Sequence, residues 1–168
     1  VTTTAAILAA RNNPLFSDER AREVEDAARS FGVRTRTAYV SDRREIEEAL
    51  DALRGTHGHA VLAVSDPVLL DLHRKSIAAI ALKHKLPLVA SFSAYAHDGA
   101  LMTYGVDLKE MHRRSAIYDD RILRGAKPGD LPIEQPTKFL LALNAKTAEQ
   151  LGISVPPSLL ALADEVIE

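Results

Sequence analysis

Cysteine chemistry is ruled out first, because the chain has no cysteine. Disulfide frameworks, thiolate zinc sites and cysteine nucleophiles are thereby excluded. The six histidines are His57, His59, His73, His84, His97 and His112. His57 and His59 form an H-x-H pair beside Gly55 and Gly58, which could suggest a metal. A third ligand is missing nearby, the run reads as a solvated loop between a helix and a strand, and no metal is expected. His73, His84 and His112 stand among Arg and Lys in helical stretches and read as surface residues. His97 adjoins Asp98 in a polar-aromatic loop. Ser65, Ser91 and Ser93 fall at strand ends, but nothing local supplies a base for any of them, and no G-x-S-x-G elbow is present. The sequence also lacks a G-x-G-x-x-G after a strand and a G-x-x-x-x-G-K-[ST] loop. Neither dinucleotide nor P-loop binding is supported, and no cofactor is expected.

Asp66 carries two readings. In Ser65-Asp66-Pro67 it is placed as a helix N-cap, with proline at the first helical position. The same carboxylate at a strand's carboxyl end can accept hydrogen bonds from a ligand amine or hydroxyl, and the two roles can coexist. Phe92 and Tyr104 divide between core filling and ring contact with a ligand. Asn12 and Asn13 precede Pro14, where turn chemistry is the plain reading. Arg113 and Arg114, with Lys109 and Arg121, share a helix with Asp119 and Asp120, so they read as a solvated face and not a nucleic-acid patch.

The elements that must position these groups follow from length and patterning. With 168 residues the chain fits one domain with a sizeable core. Its formal net charge of −2 gives no electrostatic footprint for nucleic acid or an anionic membrane. No apolar run approaches the roughly 20 residues that span a bilayer. The start at Val1, without a charged-then-apolar leader, reads as processed or cut.

Short β-type runs alternate with amphipathic helical runs. Ala5 to Ala10 is a strand, and Ser17-Asp18-Glu19 opens a helix whose apolar face is Ala21, Val24, Ala28 and Phe31. Val33 to Val40 alternates as a second strand. Asp42 and Glu45 form a capping box ahead of Ile46, Ala49, Leu50 and Leu53, and Gly55 ends that helix. Ala60 to Val64 is continuously apolar, as a strand covered on both faces should be. A helix then runs to about Lys85, and Leu88 to Ala90 is a fourth strand. Ser91 to Gly99 reads as a loop and Ala100 to Tyr104 as a fifth strand. Asp107 and Glu110 cap a helix with Met111, Ser115, Tyr118 and Ile122 on one face. Thr137 to Leu143 is a last strand, Asn144 caps a short helix, and Pro156-Pro157 introduces a final helix to the C-terminus. The fold class is therefore α/β, a mostly parallel sheet flanked by helices on both faces. In such sheets ligands bind beyond the carboxyl ends of the strands. That rule directs attention to 11–14, 65–67, 91–95 and 104–107.

From about Ala60 onward an ordered set of segments resembles a known family. It comprises Ala60-Val-Leu-Ala-Val-Ser-Asp-Pro67, Leu82-Lys-His-Lys-Leu-Pro87 and Gly99-Ala-Leu-Met-Thr-Tyr-Gly105. Tyr118-Asp-Asp-Arg-Ile-Leu-Arg-Gly-Ala-Lys-Pro128, Asp130-Leu-Pro-Ile-Glu-Gln-Pro-Thr-Lys-Phe139, Asn144-Ala-Lys-Thr-Ala148 and Ile153-Ser-Val-Pro-Pro-Ser-Leu-Leu160 follow. Together they resemble the substrate-binding proteins of ABC transporters of the tryptophan/tyrosine type, over most of the chain and least before Gly32. The resemblance implies a type I periplasmic binding protein fold, in which a ligand is held between two α/β lobes, and an extracytoplasmic, periplasmic or lipid-anchored location. Members of that family carry an amino-terminal lobe before the point at which this chain begins. Residues 1–130 would then be the second lobe, and residues 131–168 the returning hinge segment with C-terminal helices. The resemblance implies ligand contacts at Asp66, Ser91, Phe92 and Tyr104, with Asn12 less secure. Hydroxyls, one carboxylate and aromatic faces suit a zwitterionic amino acid or a similar small solute.

Three functions follow for testing. The first is a non-catalytic solute-binding component of an ABC importer, partnered by a membrane permease. The second is a stand-alone α/β binding or sensing domain that completes its cleft as a homodimer. The third is a small enzyme using Asp66 or His97 as acid or base, which the sequence supports least; no enzymatic activity is expected.

Overall fold

The apolar run at the start of the chain is a strand in the computed structural model, which describes residues 4–13, 18–53, 59–66 and 69–168. Pro14, Ser17, Gly55, His57 and Pro67 lie outside the described residues. Strand β1 (Thr4–Ala10) leads to α1 (Asp18–Ser30), β2 (Arg34–Val40), α2 (Arg43–Asp51), β3 (His59–Ala63) and α3 (Arg74–Lys83). Then come β4 (Leu88–Ala90), α4 (Ser93–His97), β5 (Met102–Val106) and α5 (Leu108–Leu123). A short 3-10 turn at Pro128–Asp130 precedes β6 (Phe139–Asn144), α6 (Ala145–Leu151), α7 (Pro157–Leu162) and β7 (Glu165–Ile167).

The strands form one seven-stranded sheet in the order β2-β1-β3-β4-β5-β6-β7. β1 to β5 run parallel, β6 lies antiparallel to β5, and β7 runs parallel to β6. Alternation along each strand divides the core into two layers. Leu8, Val40, Val61, Ala63, Leu88 and Ala90 face α2, α3 and α4, meeting Ile46, Leu50, Ile77, Ala81 and Tyr95. Ile7, Ala9, Tyr39, Leu62 and Val64 face α1 through Ala21 and Val24. Helices therefore cover both faces, as the buried strand pattern predicts.

Local signals explain most helix boundaries. Asp42 accepts a hydrogen bond from the Glu45 N–H (2.8 Å), while Glu45 Oε2 accepts from the Ser41 N–H (2.9 Å), so α2 begins with a reciprocal cap. Asp107 caps α5 through the N–H groups of Lys109 and Glu110. Asn144 caps α6 through the Thr147 N–H (2.7 Å). Gly152 ends α6 in the left-handed conformation, φ 69°, where a Cβ would be strained.

Several elements depart from the sequence reading. The loop expected from Ser91 to Gly99 contains α4, and the fifth strand lies two residues later than expected. The final helix stops at Leu162, and Glu165–Ile167 returns to the sheet as an edge strand because β6 offers it an open ladder. Phe31 lies past the end of α1 and is exposed. His84 is no surface residue: its side chain is 5% exposed and its Nε2 lies 2.6 Å from Asp51 Oδ1, pinning α3 to α2. The largest departure is α5. Its expected apolar face is real, but α5 has no buried residue. It packs against residues 131–136, with the Tyr118 hydroxyl donating to the Pro132 carbonyl (2.8 Å) and Arg114 paired to Glu134.

Candidate functional site

Strand order 2-1-3-4-5 reverses direction between β1 and β3, and the carboxyl ends there form one corner of a crevice. Asn13 bridges that corner, its Nδ2 donating to the Ser65 carbonyl (2.8 Å) across the switch point. Asn12 beside it is exposed. Asp66 is buried, and its Oδ1 accepts from the N–H of Leu69 (2.6 Å) and, more weakly, Leu70 (3.4 Å). The helix-start reading of Asp66 is thus realised as a cap on the turn that precedes α3, which itself begins only at Arg74.

The second corner lies at the carboxyl ends of β4 and β5. An open cleft of about 620 Å³ there is lined by Ser91, Phe92 and Ser93 after β4 and by Gly105, Asp107 and Lys138. His97, Asp164 and Glu165 complete its floor and rim. The cleft depends on a close backbone approach. A Cβ on Gly105 would stand 2.0 Å from the Ser91 carbonyl oxygen, so only glycine lets β5 lie this near the turn after β4.

Ser91 and Phe92 are thus brought together, and Asp66 and Asn12 sit at the neighbouring corner. Tyr104 lies elsewhere. The register Ile7–Leu62–Val89–Met102 places Tyr104 on the α1 side of the sheet, whereas Gly105 faces the other side. There Tyr104, 59% exposed, stacks on Phe139 with centroids 5.7 Å apart and planes 19° from parallel.

The sequence marks Asp107 as a cap and places it in one of the strand-end loops, but carries no signal for Lys138 or Glu165, which come from the segment before β6 and from the edge strand. Asp107 Oδ2 lies 2.8 Å from Lys138 Nζ, and the Asp107 N–H donates to the Lys138 carbonyl (3.0 Å). The start of α5 and the start of β6 are therefore tied together at the cleft. His97 Nε2 lies 2.9 Å from Glu165 Oε1 at the other rim. The Lys138 ammonium, followed by the Glu110 N–H, holds the Asp107 carboxyl below the ordinary carboxylate range. A folded pKa below the unfolded one gives stabilisation that is present above the unfolded value and is lost as pH falls through the folded value. Lys138→Met is expected to move the Asp107 titration upward in carboxyl-carbon NMR. An unchanged midpoint would show that the ion pair does not hold the carboxylate.

Among the described residues no group of three or more His, Asp or Glu is placed to hold a metal ion. No helix among them is long and apolar enough to cross a membrane.

Sheet order and crevice together define a doubly wound α/β lobe of the class that takes small molecules beyond its strands' carboxyl ends. The chain belongs to the ABC transporter substrate binding protein family, whose sequence profile matches residues 10–167. A tyrosine-binding protein of Clostridioides difficile (strain R20291) is 24% identical over 114 residues, 68% of this chain and 32% of that protein. Three solved structures share the fold over 98% of this chain. One is the ABC domain from Streptococcus pneumonia in complex with L-Trp (TM-score 0.83, 23% identity). Another is a conserved domain protein from Vibrio cholerae O1 biovar eltor (0.80, 23%). The third is a ligand-free, open substrate-binding protein with adhesive properties from Clostridium difficile (0.70, 18%). The chain spans 54–56% of the length of these structures and about a third of the tyrosine-binding protein.

Proposed function

We propose that this chain supplies one wall of the solute site of an ABC importer's receptor, outside the cytoplasm, and delivers its solute to a membrane permease. The solute class is an aromatic amino acid, bound without chemical change. The observation that carries this reading is the open cleft at the carboxyl ends of β4 and β5, with Ser91, Phe92 and Ser93 in its lining. Hydroxyls accept from an ammonium and donate to a carboxylate, and an aromatic wall suits a ring. Asp66 and Asn12 contribute from the switch-point corner, and Tyr104 acts outside the cleft. A site open on one side buries too little of a small ligand, since good pockets enclose most of it. A second α/β lobe closing over the first supplies the missing wall. The arm made by α5 and the returning segment is where that lobe packs. Leu108, Met111, Ile117, Ile122 and Ile133 are exposed on it, and Met111, Ile122 and Ile133 line an apolar groove of about 520 Å³. Relatives nearly twice as long as this chain have room for such a lobe.

The test is calorimetry and thermal melting of the complete gene product that contains these residues, with L-tryptophan, L-tyrosine, L-phenylalanine and L-leucine. An aromatic amino acid at a hundredfold excess over its Kd should add about 2.7 kcal/mol of stability. Phe92→Ala should weaken that binding by about 1–3 kcal/mol. Failure of every aromatic amino acid to bind would overturn the reading.

A further inference from the structure

We infer that a polar network of Asp71, Arg74, Tyr95 and Asp98 is the positioning device of the cleft wall, and that it sets ligand affinity without touching the ligand. The inference rests on the proposed binding role of the cleft. Its starting point is that α4, which follows Ser91 and Phe92 and opens with Ser93, cannot hold itself in place. It is five residues long, and its N-cap, Phe92, offers no side-chain hydrogen bond. An isolated helix of that length does not persist in water. The position of the wall is therefore imposed from outside.

The anchors come from α3 and the turn before it. The Tyr95 ring is 2% exposed and packs in the main core beneath α3. Its hydroxyl is sealed from solvent and faces the Asp71 carboxylate. At the end of α4, Asp98 Oδ2 lies 2.6 Å from Arg74 Nε. Arg74 in turn donates from Nη1 to the Asp71 carbonyl (3.1 Å), so the anchors share one frame. That frame is tied to the switch-point corner, because the Asp71 N–H donates to the Asp66 carbonyl (2.9 Å). Two hydrogen bonds to backbone carbonyls, the Arg74–Asp98 ion pair and the Asp71–Tyr95 contact thus link the turn after β3 to the turn after β4, while Tyr95 Oη, Asp71 Oδ1, Arg74 Nε and Asp98 Oδ2 are buried without a hydrogen bond of ordinary geometry. Burial holds the Asp71 carboxyl above the ordinary range, while the neighbouring Tyr95 hydroxyl pulls the other way. Sealed polar groups of this kind have few satisfied arrangements, which makes them selective about geometry.

The experiment uses the complete gene product and two readouts. Amide hydrogen exchange reads the wall directly. In Tyr95→Phe and Arg74→Met, exchange at Ala96–Gly99 should accelerate about tenfold or more while α2 stays unchanged. Titration with L-tryptophan reads the consequence. Both variants should bind about tenfold more weakly, and Arg74→Lys should stay within about threefold of the parent. Ile77→Val, a core change in α3 with no polar partner, should lower stability and leave affinity unchanged. Unchanged exchange at α4 in both variants would overturn the positioning role, whether or not the parent binds tryptophan. Accelerated exchange with unchanged affinity, or equal weakening by Ile77→Val, would overturn the link to binding. A parent protein that binds no aromatic amino acid while α4 loosens as expected would place the failure in the proposed function and refute the affinity half of the inference.

Discussion

Gly105→Ala is expected to destabilise the lobe by about 3 kcal/mol, at the upper end of the range for overpacking. The added Cβ would stand 2.0 Å from the Ser91 carbonyl oxygen, 2.9 Å from its carbonyl carbon and 3.3 Å from its Cα. All three atoms are backbone, so no rotamer change relieves the contact. Relief requires β5 to separate from the turn after β4, which carries Ser91 and Phe92. The loss of unfolded-chain entropy that favours alanine over glycine is worth only about 0.4–1 kcal/mol and does not offset this. Urea denaturation should show a lower midpoint, and aromatic amino acid binding should fail even where the variant stays folded. A variant with parental stability and affinity would mean that the two backbones are not in contact. Gly129, with open space around it, is the control: alanine there should change neither.

Asn144→Ala is the second large effect, about 1–3 kcal/mol, from a lost cap combined with a lost buried hydrogen bond between α6 and α4. Asn144 is buried at the junction of β6 and α6. Its Oδ1 accepts the Thr147 N–H and its Nδ2 donates to the Ala96 carbonyl at 2.8 Å. Alanine removes both bonds and leaves the Ala96 carbonyl with the Gly99 N–H (3.1 Å) but no tie to Asn144. Asn144→Asp retains the cap acceptor but sets a carboxylate against the Ala96 carbonyl, so it should recover little. A domain of this size loses about 2–4 °C of Tm per kcal/mol. Thermal melting of the two variants therefore separates cap from cross-link. Full recovery by aspartate would assign the whole effect to the cap.

Legibility in the sequence followed the range of the signal. The strands Ala60–Val64 and Leu88–Ala90 are short apolar runs bounded by turn residues and are legible from that alone; Val61, Ala63, Leu88 and Ala90 are buried, while Leu62 and Val89 on the other face are only partly so. The caps at Asp42, Asp107 and Asn144 were readable because donor and acceptor lie within three residues of each other. α4 was not readable, since its stability comes from Arg74, Asp71 and Asn144, residues up to about fifty positions away. The β7 strand escaped for the same reason: three residues after a helix carry no period, and β6 supplies their partner. At the cleft, Ser91 and Phe92 could be found by the rule that strand ends face ligands. Gly105 could not, because a glycine required for close approach looks like any turn glycine until its neighbour is known. The side of the sheet taken by Tyr104 depends on a register accumulated through β1, β3, β4 and β5, and a one-residue shift in the start of β5 reverses it.

The central claim is that the solute lands at the carboxyl ends of β4 and β5. The most direct test is backbone amide mapping by NMR during titration of the complete gene product with L-tryptophan. The expected result is saturable shifts centred on Ser91, Phe92, Ser93 and Gly105, with smaller ones at Asp66 and Asn13 across the switch point. Saturable binding whose shifts lie away from both corners, or no binding at all, would contradict it.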